Sequence, residues 1–207
     1  MAQEKVTMNL GDFHTVKTYR GLNVELIKAD DAKIIIDGNR SSEVTVKNNN
    51  GTLKISMSIA HTFSADDVMV YLYFQDDIDV IDANEGSRIY SDEVIKQEKI
   101  TAKAQEAGRI KFEIDTEQLD VTVVSGGQVN LKGSSKNQNV KSNTGGIYKG
   151  ERLETEYTKV SSYTGGSASV KASVLVDAKA STGGTISISG EPEEVKKSES
   201  LGGYIRQ

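Results

Sequence analysis

The side chains best suited to catalysis or metal binding are scarce in this sequence. It contains two histidines, His14 and His61, and no cysteine. Disulfides, iron–sulfur clusters and cysteine-ligated zinc are therefore excluded, and two histidines need carboxylate help to hold a metal ion. No serine, histidine and aspartate form a grouping typical of nucleophilic hydrolysis. Both histidines are interpreted as ordinary surface or turn residues, and no catalytic residue is predicted.

Acidic side chains concentrate in the segment 76–86. Asp77 and Asp79 are predicted to share one face of a strand, and several carboxylates near a turn are suitable ligands for Ca²⁺. The segment departs from an EF-hand loop because its glycine is misplaced and the closing glutamate is absent. An alternating strand with a solvated acidic face explains the run as well. No cofactor is predicted, and calcium near Asp77 and Asp79 is the minor alternative.

A second set of carboxylates, Asp115, Glu117 and Asp120, lies close in sequence to Arg109 and Lys111. Polysaccharide lyases and glycosidases on β-helical scaffolds use carboxylates with a basic residue in an exterior groove. A polysaccharide-active enzyme is therefore the alternative function. Only proximity in sequence and analogy of fold support it.

Exposed tyrosines are the other candidates for ligand contact, because a phenol ring stacks on sugar rings or packs against protein partners. Tyr71 and Tyr73 alternate on one strand face, and Tyr163 directly precedes a turn. These three residues are the predicted ligand-contact surface. Tyr148 and Tyr157 are close to Tyr163 in sequence, but Tyr148 occupies a position predicted to face inward.

The elements that position these side chains are indicated by a repeat of paired glycines. Second glycines at 127, 146, 166, 184 and 203 are separated by steps of 19, 20, 18 and 19 residues. A fixed period of this length is typical of a solenoid. The predicted turn glycines are Gly126, Gly127, Gly145, Gly146, Gly165, Gly166, Gly183, Gly184, Gly202 and Gly203.

Apolar side chains keep register with these glycines, and polar residues alternate with them. This alternation predicts two short strands in each repeat, joined at a glycine corner where a positive φ is needed. The predicted fold is an all-β, right-handed parallel β-helix with coils of about 18–20 residues. Evenly spaced hairpins of a β-sandwich or meander are the alternative. Two ladders are predicted to face inward: Ile110, Val129, Tyr148, Ala168, Ile186 and Ile205, and Ala102, Val121, Val140, Val160 and Ala178.

The chain is predicted to form one continuous domain. Residues 1–10 are expected to be an N-terminal tail, residues 11–107 a less regular β part, and residues 108–207 the regular glycine repeat. Apolar residues make up 36% of the 207 and aromatic residues 6%, with no tryptophan. That composition suits the narrow core of a solenoid.

Charge and hydropathy exclude several classes of partner. The net charge is −5, and no cluster of lysines and arginines along the sequence indicates a nucleic-acid surface. No apolar run approaches the roughly 20 residues of a transmembrane helix. The sequence begins without the apolar stretch of a signal peptide, and the removal of a leader or lipid anchor stays open.

The opening of the chain resembles a known family. Gly11, Asp12 and Phe13 are followed by the tripeptide Gly21-Leu22-Asn23, then by a glycine-led strand at 51–56 and by glycine-rich repeats. This pattern is similar to that of the head GIN domain family (DUF2807, auto-transporter adhesins) of Bacteroidetes, with Leu22 in place of isoleucine. The resemblance covers roughly residues 11–207. It implies a β-helical protein exported to the periplasm or cell surface, and it brings no catalytic residues.

These observations favour a non-catalytic binding module, adhesin-like, that contacts glycan, envelope or protein partners. Charged residues occupy ladder positions near the end of the sequence, at Lys196, Lys197 and Glu199. Such charges oppose open-ended strand pairing. Monomers or small homo-oligomers are therefore expected rather than filaments.

Overall fold

The computed structural model of the protein describes residues 5–58 and 68–207. In this part of the chain the fold is all-β, with eighteen strands in one continuous sheet and the 3-10 turn Ser41–Glu43 as the only helical element. The strands are β1 Lys5–Asn9, β2 Thr15–Tyr19, β3 Asn23–Lys28, β4 Lys33–Asp37, β5 Val44–Asn49, β6 Thr52–Met57, β7 Met69–Phe74, β8 Val80–Ala83, β9 Arg88–Lys96, β10 Lys99–Ala104, β11 Arg109–Val123, β12 Gln128–Ser142, β13 Ile147–Ser162, β14 Ser167–Lys171, β15 Leu175–Ser181, β16 Thr185–Ser189, β17 Glu194–Ser200 and β18 Tyr204–Arg206.

From β8 onward the strands form stacked parallel coils with two faces. Face A consists of β8, β10, the second halves of β11, β12 and β13, and then β15 and β17. Face B consists of β9, the first halves of β11, β12 and β13, and then β14, β16 and β18. The predicted parallel β-helix is confirmed.

The N-terminal part is less regular, as predicted. On face A, β2 pairs in parallel with both β6 and β8, and on face B, β3 pairs in parallel with both β7 and β9. The first coil of the chain therefore lies between two coils that follow it in sequence.

Three antiparallel strands extend this end of the sheet. β5 pairs with β6, β4 with β7, and β1 with β4. β1 lies within residues 1–10, the segment expected to be a tail. It pairs with β4 because its partly buried Val6 and Met8 pack against the hydrophobic core.

Each coil turns a tight corner at its glycine pair, and the two glycines have different roles. At one corner Ser125 has φ 50 and Gly126 has φ 72, as a type I′ turn requires. The turn is closed by the Gly127 N–H, which donates to the Val124 carbonyl at 2.9 Å. A Cβ on Gly127 would lie 2.2 Å from the Ala104 carbonyl oxygen. The positive φ expected at the glycine corner is adopted by the first glycine, and the second permits close approach of neighbouring coils.

The two predicted ladders form the core between the faces. Ile110, Val129 and Ile186 stack in register on face B, and each is at most 2% exposed. The face A ladder is equally buried from Ala102 to Ala178. Aliphatic stacking along the axis therefore supplies the hydrophobic core that each coil alone is too thin to form.

Charged side chains take over the ladder positions in β17. Lys197 and Glu199 are in register with Ala178 and Ala180 of β15, and both are exposed. The Glu199 carboxylate accepts a hydrogen bond from the Ile205 N–H. These charges oppose the addition of a further strand at this edge of face A.

Candidate ligand-binding surface

The second half of β13 presents a row of outward side chains on face A. Tyr157, Lys159 and Ser161 alternate along the strand and Tyr163 directly follows it, while the residues between them are buried. Tyr157 is 41% exposed and Tyr163 36%. Period-2 alternation thus places two phenol rings and an ammonium group on one surface of the sheet.

A shallow groove of about 300 Å³ runs beside Tyr157. In the neighbouring coil, Asn137 and Asn139 of β12 are in register with Tyr157 and Lys159. The groove combines an aromatic ring and an aliphatic side chain with amide and carboxylate groups. We call it the β13 groove, and its walls include Gln118, Asn137, Asn139, Tyr157, Leu175 and Asp177.

The amides of the groove are oriented by the coil that precedes them. Asn139 Nδ2 donates to the Asp120 carboxylate at 3.2 Å, and Asn137 Nδ2 donates to the Glu117 carbonyl at 3.4 Å. Both amide oxygens are thereby directed away from these acceptors. Each amide keeps hydrogen-bonding capacity for a ligand, since it carries two donors and an acceptor.

A buried polar network lies beneath the groove. Gln138 Nε2 donates to the Thr158 hydroxyl at 2.8 Å and the Thr155 hydroxyl at 3.2 Å, and Gln138 Oε1 accepts from the Tyr148 hydroxyl at 3.0 Å. Burial raises the pKa of Tyr148, so its hydroxyl keeps the proton that it donates. Gly150 leaves room for the ring, because a Cβ there would lie 2.5 Å from the Tyr148 hydroxyl oxygen.

Two of the predicted contact residues lie elsewhere, on face B near the N-terminus. Tyr71 and Tyr73 point outward from β7, and the Lys33 ammonium lies 4.8 Å from the centre of the Tyr73 ring. Glu25 of β3 separates Tyr71 from Tyr90 of β9 in one cross-strand row. We call Tyr71, Tyr73 and Tyr90 the tyrosine patch.

Tyr90 is held by its neighbours in this row. Its hydroxyl donates to the Glu25 carboxylate at 3.4 Å. Burial, followed by the charge and the hydrogen bond of Glu25, raises the pKa of Tyr90 to about 12.

The three predicted contact tyrosines do not form one site. Tyr163 lies on face A, whereas Tyr71 and Tyr73 lie on face B six coils away, or roughly 29 Å along the axis at ~4.8 Å per strand. Tyr157 was missed as a site residue by sequence reasoning. The signal was the alternation of Tyr157, Lys159 and Ser161 with buried residues along one strand.

The carboxylates of the enzyme alternative also diverge. Asp115 points out of face B, where it accepts from Ser134 Oγ at 3.0 Å and lies 3.6 Å from Lys96 Nζ. Asp120 points out of face A and lies 3.8 Å from Lys99 Nζ. Glu117 is at the bend between the faces. Arg109 begins β11 and Asp115 follows six positions later, at the end of the face B half of the strand, so extended chain separates the two side chains.

Only part of the acidic run 76–86 is a strand, because β8 begins at Val80. Residues 75–79 form a bend before β8, in which Ile78 is buried and Asp77 and Asp79 are exposed. Asp79 Oδ2 lies 3.7 Å from His14 Nδ1. Across residues 5–58 and 68–207, no three histidine or acidic side chains group to hold a metal ion. His61 lies outside the described residues.

The fold and surfaces define a class: a β-solenoid with polar outer faces, exposed tyrosines and a shallow groove. The family model "Putative auto-transporter adhesin, head GIN domain" matches residues 12–192. The chain belongs to this family, whose description is that of a binding module. Gly21 of the Gly21-Leu22-Asn23 tripeptide has φ 71 and Leu22 is fully buried, so the motif forms the corner of the first coil.

Solved structures of low sequence identity share the fold. A putative adhesin from Bacteroides fragilis has a TM-score of 0.89 at 16% identity, covering 99% of this chain and 96% of that one. A putative adhesin from Parabacteroides merdae has a TM-score of 0.74 at 13% identity, covering 99% and 95%. A putative lipid binding protein from Parabacteroides distasonis has a TM-score of 0.70 at 16% identity, covering 99% and 96%. No curated protein matches the sequence. Residues 5–58 and 68–207 contain no helix long and apolar enough to cross a membrane.

Proposed function

We propose that this protein is a non-catalytic binding module, exported to the periplasm or cell surface, that holds a glycan chain in the β13 groove. The observation that carries the proposal is Tyr157 beside the amides of Asn137 and Asn139. A sugar presents an apolar C–H face and a rim of hydroxyl groups. The phenol ring suits the first, and the amides, as donors and acceptors, suit the second.

The scaffold beneath the groove favours this function. Tyr157 belongs to a strand paired on both sides, and the inward Thr158 is held by Gln138. A site that is already rigid loses little conformational entropy when it binds a ligand. Regular strands also repeat the polar groups along the axis, which suits a linear polymer better than a compact small molecule.

The positions of the carboxylates support a role without catalysis. Glycoside hydrolysis needs two carboxyl groups on either side of one bond, less than about 10 Å apart. Asp115 and Asp120 leave the molecule from opposite faces, and each has a lysine within 4.0 Å. An adhesin-type description of the family agrees with binding rather than turnover.

A glycan array probed with the full chain, followed by affinity measurements on the best glycan, tests the proposal. Tyr157→Ala is expected to weaken binding by about fivefold or more, because stacking is worth ~1 kcal/mol or more. Tyr204→Ala is the matched control, since Tyr204 is 59% exposed but lies on face B. Loss of binding in Tyr71→Ala/Tyr73→Ala, with Tyr157→Ala unchanged, would assign the ligand to the tyrosine patch instead. Release of shortened sugar that depends on Asp115 or Asp120 would establish an enzyme.

A further inference from the structure

A row of lysines from six separate places in the sequence runs along face A. Its members share one register position, the middle outward position of each strand. The row proceeds from β5 through β6, β2, β10 and β12 to β15. We call it the lysine row: Lys47, Lys54, Lys17, Lys103, Lys141 and Lys179.

The positions between these lysines add almost no negative charge. Thr122 and Ser161 separate Lys103, Lys141 and Lys179. Asp82, between Lys17 and Lys103, is the one acidic residue in the row.

The charge of the row is largely unneutralised. Lys17 Nζ lies 3.6 Å from Asp82 Oδ2. Asp82 is 3% exposed and is also bound by the side-chain amides of Asn84 at 3.0 Å and Gln105 at 3.2 Å. In the described part of the chain, the other five lysines have no carboxylate within 4.0 Å.

The spacing of these charges follows from the strand spacing. Lys47, Lys54 and Lys17 are on adjacent strands, ~4.8 Å apart, and Lys103, Lys141 and Lys179 are on alternate coils, ~9.6 Å apart. A line of like charges repels itself and lowers the stability of the fold. An anionic partner that spans several coils would remove this repulsion.

The surroundings of the row indicate which polyanion fits. On one side lie neutral side chains, among them Gln105, Asn143 and Tyr163. On the other side lies the β13 groove, where Asp177 is the acidic residue, and Asp120 lies beside Asn139 at its edge. The carboxylates of Glu85 and Glu106 are on the first side, at the corner beyond Asn84 and Gln105.

Hydroxyl groups, amides and phenol rings alongside a cationic line match a sugar chain that carries regularly spaced acidic groups. We therefore propose that face A binds a linear acidic polysaccharide along the lysine row, with its acidic groups against Lys103, Lys141 and Lys179. This inference names the ligand class of the proposed function and rests on it.

Polygalacturonate, its neutral methyl ester and single-stranded DNA are suitable probes for the full chain. Lys141→Gln/Lys179→Gln removes two charges two coils apart on face A. Lys111→Gln/Lys149→Gln removes two charges two coils apart on face B and is the matched control. The face A pair is expected to weaken polygalacturonate binding by about tenfold and to reduce its salt dependence, while the control pair leaves both unchanged.

Each other outcome separates this inference from the function on which it rests. If the two double variants lose the same affinity for polygalacturonate, binding depends on net charge alone, and the assignment to the lysine row is overturned. If DNA binds more tightly than polygalacturonate, and Lys141→Gln/Lys179→Gln abolishes that binding, the ligand of the row is a nucleic acid and the assignment to an acidic polysaccharide is overturned. Binding of the methyl ester as tightly as the acid, sensitive to Tyr157→Ala only, would leave the groove as a glycan site and refute the lysine row. Failure of every polymer to bind would refute the lysine row, whereas the proposed function is refuted only if the glycan array also shows no binding.

Discussion

Two adjacent glycines of one corner are expected to respond very differently to the same substitution. Gly126 has φ 72 and faces open space, with nothing within 4 Å of an added Cβ. Gly127 lies where an added Cβ would be 2.2 Å from the Ala104 carbonyl oxygen and 2.5 Å from its carbon. Gly126→Ala therefore changes backbone strain alone, and Gly127→Ala forces two coils apart.

The magnitudes follow from these contacts. A non-glycine residue at positive φ costs about 1–2 kcal/mol. Relief of the Gly127→Ala overlap requires a shift of the backbone by more than 1 Å, since ordinary contact begins at 3.4 Å. Two inter-coil hydrogen bonds flank that point, from Val124 N–H to the Ala104 carbonyl at 3.0 Å and from Gln128 N–H to the Gly108 carbonyl at 2.8 Å. Their loss in a buried setting gives a cost of about 3 kcal/mol or more.

Urea unfolding followed by circular dichroism measures both costs. Gly127→Ala is expected to lower the midpoint at least twice as much as Gly126→Ala. The next corner offers an internal repeat, because Gly145 has open space and a Cβ on Gly146 would lie 2.3 Å from the Val123 carbonyl oxygen. Equal destabilisation within each pair, or a reversed order, would refute the distinct roles assigned to the two glycines.

Two further predictions concern tyrosines. Tyr148→Phe leaves the buried Gln138 side-chain carbonyl without its donor. This variant is expected to lose about 1–3 kcal/mol of unfolding free energy. If it is as stable as the exposed control Tyr157→Phe, the prediction is contradicted. Because the pKa of Tyr90 is raised from 10.0 to about 12, the folded state holds that proton more tightly than the unfolded chain. Stability is therefore intact below pH 10 and is lost as the pH rises towards 12. Unfolding measured across this range should show a smaller loss for Tyr90→Phe, and an unchanged profile would count against the burial of this hydroxyl.

Sequence reasoning reached the solenoid because the signals that build each coil are local. Alternation around Ile110 and Val129 specifies strands with one buried face, and a glycine pair specifies the corner. It missed the different roles of the two glycines, since only the neighbouring coil makes a Cβ on Gly127 impossible. It also placed a strand at Asp77 and Asp79, where the chain bends before β8, although Ile78 between them is buried as alternation predicts.

By itself, then, the sequence determined the repeat, the inward ladders and the family, because these depend on residues within one or two coils. The tertiary structure decided which side chains share a surface. Lys17 and Lys179 are 162 positions apart in the sequence (179 − 17), yet they belong to one row because stacking in register aligns equivalent positions of distant coils. Asp115 and Asp120 are close in sequence, yet they lie on opposite faces because β11 bends between them. Composition along the chain therefore showed no basic cluster, and only the pairing of strands side by side in the sheet created one.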